Sequence, residues 1–161
     1  MRDSTRTSGL PQYWIDVGGT FTDCIAYWPD GSLKLHKLLS NGVYRGRVGK
    51  GSTPLQIVDP ERVIDPPNFC RGYRLTIPAR QAGQTMAEGI VESFDPAHGR
   101  ILLRTPLQIN VEPGRVYELS SGQPAPIVGI RWLSSLGLEN RIGPAIVRLG
   151  TTRGPNSSLE Q

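Results

Sequence analysis

The chain has 161 residues, enough for one globular domain with a real core or for one piece of a larger protein, and its 19 glycines and 14 prolines announce many turns. Its formal charge of +4 comes from cationic residues scattered along the whole length without a run of five, so nothing beyond net charge recommends nucleic acid as a partner. No apolar run approaches the roughly 18 residues of a membrane helix and the start, "MRDSTRTSGL", lacks the apolar centre of a signal peptide, so a soluble cytoplasmic chain with no membrane partner is expected.

Residues 1–11 are polar and read as a loose tail. "YWIDV", "FTDCIAYW" and "SLKLHKLLS" then read as three strands, the last two separated by Pro29-Asp30-Gly31, where proline presets φ and glycine accepts a positive one. The result is an antiparallel meander. In its third strand Leu33, Leu35 and Lys37 share one face and Lys34, His36 and Leu38 the other, with His36 expected to be exposed.

After Ser40 the chain turns rich in Gly, Pro and charge, with short apolar pieces such as "LQIV". "GYRLTIPA", "TMAEGIVESF", "GRILLRTPL" and "RVYELSSG" follow at strand spacing, with "DPAHG" at 95–99 as a hairpin turn holding an exposed His98. A β-rich insertion over 41–120, with a small antiparallel sheet or partial barrel over 52–120 and exposed edges, is the expectation. From Ser121 the period changes. Ile127, Ile130, Leu133 and Leu136 recur as on one side of a helix, Pro124 and Pro126 suit its first turn, and Gly137 is placed to end it. "PAIVRLGTT" (144–152) reads as a strand and "GPNSSLEQ" as the start of a helix capped by Asn156. A strand reached by such a crossover needs a parallel partner, so the fold class is mixed α/β, in the order β-β-β, insertion, α, β, α.

The residues with the most chemistry are in "IDVGGTFTD". Glycines let backbone approach a ligand, and consecutive N–H groups at such a turn make a concave donor site for phosphate oxygens. Thr20 and Thr22 add hydroxyls, Asp16 is a hard oxygen ligand for Mg²⁺, and Asp23 is placed to orient a water or the same ion. The plainer alternative is a two-residue turn at Gly18-Gly19 with threonines as strand formers. That alternative leaves an acid in an apolar strand unexplained, since a carboxylate buried there costs several kcal/mol or takes up a proton. Cys24 and Cys70 stand singly as reduced thiols, and with two histidines in the chain neither a zinc site nor a histidine relay is visible.

"IDVGGTFTD" resembles the first phosphate motif of actin-like ATPases and, as a whole, the N-terminal signature of the hydantoinase/oxoprolinase family. "DGSLKLHKLLS" at 30–40 and "VRLGTTRGPNSSLEQ" at 147–161 are similar to two further segments of that family, in the same order. The resemblance implies the start of an actin-like, ribonuclease H-like lobe formed by 12–40 with 121–161, interrupted by the 41–120 insertion. It also implies an ATP- and Mg²⁺-dependent amidohydrolase that opens a small cyclic amide such as 5-oxoproline or a hydantoin, ATP activating the ring carbonyl oxygen. Carried over residue by residue, Asp16 is the Mg²⁺ partner, Gly18, Gly19, Thr20 and Thr22 contact phosphate, and Gly150, Thr151 and Thr152 form a second phosphate segment. Pro155 and Ser157-Ser158-Leu159 depart from the family pattern.

Family members run to many hundreds of residues and close the nucleotide between two lobes. This chain is therefore expected to be an N-terminal fragment, inactive alone and completed by the remainder of the enzyme or a complementing subunit. A non-enzymatic β module that binds a partner, with a purely structural Gly-Gly hairpin, is the alternative.

Overall fold

Alternation decides the first sheet. In strand β1 (Gln12–Val17) Tyr13 and Ile15 are buried while Trp14 and Asp16 are exposed, the pattern of a strand with one covered face. The computed structural model describes residues 9–79 and 83–151; Thr152 and the helix expected at Asn156 lie outside the described residues. Pairing begins one residue inside the expected tail, where Pro11 O accepts from Ile146 N–H.

Strands β2 (Phe21–Tyr27) and β3 (Leu33–Leu39) complete the antiparallel meander. Gly31 takes φ 86 at the tip between them and donates to Trp28 O at 2.9 Å, as the Pro-Asp-Gly sequence requires. The fourth strand of this sheet, β10 (Ile146–Thr151), pairs in parallel with β1, giving the order β10-β1-β2-β3. Parallel neighbours need a crossover, and helix α1 (Ala125–Leu133) lies on that connection and packs against β1, β2 and β3. Gly129 permits the contact: a Cβ there would sit 2.5 Å from Cys24 Sγ and 3.5 Å from Leu38. Burial pushes the Cys24 thiol up to about 12, with the charge of Asp23 adding to it, so it stays protonated.

The helix ends earlier than its sequence period implies. Ser135 takes φ 55, its N–H bonds Trp132 O, and Leu136 N–H bonds Arg131 O, a Schellman closure with serine in the position expected of Gly137. Gly137 is instead a buried acceptor, its carbonyl 2.7 Å from Arg131 Nη1.

Strands β4 (Val43–Arg47), β5 (Gln56–Val58), β6 (Arg74–Pro78), β7 (Thr85–Asp95), β8 (Arg100–Leu103) and β9 (Val116–Ser120) make a second, antiparallel sheet in the order β4-β9-β6-β7-β8-β5. A register shift in β7 between Val91 and Ser93 lets it curl. Gly49 N–H, just past β4, then reaches Val58 O in β5, so the two edges meet in a nearly closed barrel. The exposed edges expected on the insertion are thus drawn together, and among the described residues β10 and β3 are the edge strands of the first sheet. His98 remains in its exposed turn, bonded to Asp95. The chain is a mixed α+β fold of curled sheets. No helix among the described residues is long and apolar enough to cross a membrane.

Sheet and barrel meet around His36, which is not the exposed strand residue its sequence suggests. Trp132 of α1 stacks on the imidazole at 3.9 Å between centroids, and Tyr44 of β4 hydrogen-bonds its Nε2 at 2.8 Å. Strand alternation is as expected, but the helix covers this face while Leu33 and Leu35 on the other stay 56% and 66% exposed. Burial, aided by the Arg62 guanidinium, pushes His36 down to about 4.

Two outcomes follow from this packing. Gly129→Ala is expected to destabilise by about 1–3 kcal/mol in denaturant unfolding through overpacking, with a smaller loss when Cys24→Ala makes room. Because its folded pKa is depressed, His36 contributes stability that is present above its unfolded value near 6.5 and lost as pH falls towards about 4. The His36 ring resonances are expected to titrate near 4, and His36→Gln is expected to flatten the stability profile between those pH values.

Candidate functional site

The turn joining β1 to β2 is displaced from Gly18-Gly19. Val17 faces Thr22, and Gly18 N–H donates to Phe21 O at 2.9 Å, so the residues at the tip are Gly19 and Thr20. Neither Gly18 nor Gly19 takes a positive φ, so the primed turn that glycines usually serve is not formed here. A Cβ on Gly19 would meet nothing within 4 Å. Conformation and packing within the chain therefore give no reason for glycine at this position. Among the described residues, the N–H groups of Gly19 and Thr20 find no protein acceptor.

The carried-over residues divide by face. Thr20 is exposed at the tip. Thr22 is 0% exposed, beneath the sheet, its hydroxyl 3.0 Å from Ser40 Oγ, so it supports the hairpin from below and offers nothing to a ligand above. Asp16 is exposed rather than buried, because alternation turns it with Trp14 to the uncovered face. Facing water, its carboxylate incurs no desolvation cost that would require a partner. Asp16 stands directly opposite Asp23 across the β1–β2 pair, however, and like charges so placed repel. Asp23 has Lys37 at 3.3 Å; Asp16 has no ion pair among the described residues.

Parallel pairing then brings in the second segment. Gly150 stands beside Asp16 and Thr151 beside Val17, and a Cβ on Gly150 would be 3.8 Å from Asp16 Oδ1. Asp16, the Gly18-Gly19 turn, Gly150 and Thr151 therefore share one end of the sheet, whereas Thr152 lies outside the described residues. A shallow groove of about 290 Å³ runs from Asp16, Asp23 and Gly150 along the open face to Trp14 and Arg148, whose guanidinium lies 5.1 Å from the indole.

Mg²⁺ prefers one or two carboxylates and keeps several waters, leaving positions for phosphate oxygens. Asp16, without an ion pair among the described residues and facing a second carboxylate, fits that demand, and the open N–H groups of the turn fit phosphate oxygens. A dedicated protein cage is not present: no group of three metal-ligating side chains occurs among the described residues.

Ser40 and the Asp16–Asp23 opposition were not read from the sequence. Both follow from register, which the Pro-Asp-Gly turn fixes for Ser40 and which a turn centred on Gly19-Thr20 fixes for the two acids. Compared with models of protein families, with curated proteins and with solved structures, the chain finds no match.

Asp16→Asn removes the facing repulsion and is expected to raise the thermal midpoint of the ligand-free protein slightly. An unchanged or lowered midpoint would show that Asp16 is structurally engaged.

Proposed function

We propose that the chain is a nucleotide-phosphate-binding lobe of an ATP-dependent enzyme of the hydantoinase/oxoprolinase type. The observation that carries this reading is the β1–β10 register, which puts Asp16 beside Gly150 and so joins two segments far apart in sequence into one end of one sheet. A three-strand meander, a helix across one face and a fourth strand parallel to the first is also the order expected of an actin-like lobe.

In this reading Asp16 holds Mg²⁺ through oxygen, the Gly19 and Thr20 N–H groups and the Thr20 hydroxyl receive phosphate oxygens, and Gly150 leaves the room that a side chain beside Asp16 would fill. ATP with Mg²⁺, when bound, supplies the phosphoryl group that activates the carbonyl oxygen of a small cyclic amide. The open edge of β10 and the uncovered side of its Val147 and Leu149, 49% and 60% exposed, are where a complementing lobe or subunit completes the site.

A second reading has its own observation. Trp14, Phe21, Leu33 and Leu35 leave the open face apolar, which suits a partner's surface and a hairpin with no ligand. Titration with Mg-ATP separates the two. The nucleotide reading predicts amide shifts at Asp16, Gly18 to Thr20, Gly150 and Thr151 that are weakened by Asp16→Asn, and ATP turnover only after mixing with a complementing C-terminal half. Silent amides at all these positions would leave the partner-binding reading.

A further inference from the structure

Ser40, the last residue of the 30–40 segment, lies outside the two glycine-bearing segments and hydrogen-bonds the hairpin through both its backbone and its side chain. Its N–H donates to Thr20 O at 2.9 Å, and its hydroxyl donates to Gly18 O at 2.8 Å. A hydroxyl has one proton, so in its 3.0 Å contact with Thr22 the threonine is the donor. The chain of bonds runs from the buried Thr22 hydroxyl to Ser40 and on to the Gly18 carbonyl, tying the end of β3 across β2 to the end of β1.

This arrangement has a consequence for the far side of the hairpin. The C=O of Gly18 and the N–H of Gly19 belong to one planar trans peptide and point in opposite directions. Holding the Gly18 carbonyl towards Ser40 therefore turns the Gly19 N–H away from it, towards the open side. The Thr20 carbonyl is held in the same manner, so the Gly18–Gly19 and Thr20–Phe21 peptide planes, one on each side of the Gly19–Thr20 peptide at the tip, are both fixed by Ser40. A glycine with open space above it has no means of fixing its own orientation.

We propose that Ser40 is a positioning residue, which aims the Gly19 N–H at a phosphate oxygen without touching the ligand; this rests on the nucleotide reading of the hairpin. Preorganised donors bind without a reorganisation cost at the moment of contact, which is what such a tether provides.

The test compares Ser40→Ala, Ser40→Thr and Gly129→Ala. Ser40→Ala is expected to weaken Mg-ATP binding about tenfold, the scale of one lost hydrogen bond, and to change the N–H residual dipolar coupling of Gly19 in the ligand-free protein. Ser40→Thr keeps the hydroxyl and is expected to restore both. Gly129→Ala lowers stability from the helix side and is expected to leave both unchanged, so a loss that merely followed stability would overturn the proposal. So would an unchanged Gly19 coupling and affinity in Ser40→Ala. If the wild-type chain ignores Mg-ATP, the nucleotide reading falls, while the ligand-free coupling still decides whether Ser40 aims the peptide.

Discussion

The parallel pairing of β1 with β10 is the constraint on which the rest of the structure depends. Parallel neighbours cannot be joined by a tight turn, so everything between β3 and β10 must be carried on a connection that crosses the sheet. Helix α1 makes the crossing, and its close approach at Gly129 buries Cys24 and Leu38 beneath it. The same register sets Gly150 against Asp16 and Thr151 against Val17. One backbone pairing thus determines both which face is core and which segments meet at the candidate site.

The barrel rides on that crossover and is anchored to the sheet by buried charge. Arg62 donates to Tyr117 OH, Asp65 and the carbonyl of Arg45, while Tyr117 donates to Asp59 at 2.6 Å. Trp132 of α1 reaches into this cluster through its indole N–H to Asp65 at 2.8 Å and stacks on His36 with its ring. Burying a guanidinium is tolerable only because its donors are met, and removing one partner of such a cluster typically costs about 3–5 kcal/mol. Every member has a partner among the described residues, so the cluster fixes how barrel and sheet meet instead of leaving a polar defect.

Local pattern carried much of the fold. Alternation in "YWIDV" and the Pro-Asp-Gly turn defined the meander, and the three-residue recurrence from Ile127 placed the helix, because each is a property of neighbouring residues. What was hidden depends on contacts between distant ones. His36 has the alternation of an exposed strand residue and becomes half-buried because Trp132, far along the chain, stacks on it and Tyr44 hydrogen-bonds it. Ser135 rather than Gly137 takes the left-handed position that closes the helix, while the Gly137 carbonyl accepts from Arg131 six residues earlier, an arrangement the three-residue period does not show. At the candidate site the hairpin forms, but with a geometry the residue types did not show. Asp16 faces water, Thr22 faces the core, and the tip is one residue later than the glycine pair implies.

The proposed function requires the two Gly- and Thr-bearing segments to form one cation-and-phosphate site around Asp16. Paramagnetic Mn²⁺ added with ATP in place of Mg²⁺ broadens amides by their distance from the ion, and so reads the site directly. The account predicts that Asp16, Gly18 to Thr20, Gly150 and Thr151 broaden together at low Mn²⁺, and that Asp16→Asn removes the effect at all of them. Broadening confined to one segment, or spread over unrelated surface carboxylates, would contradict it.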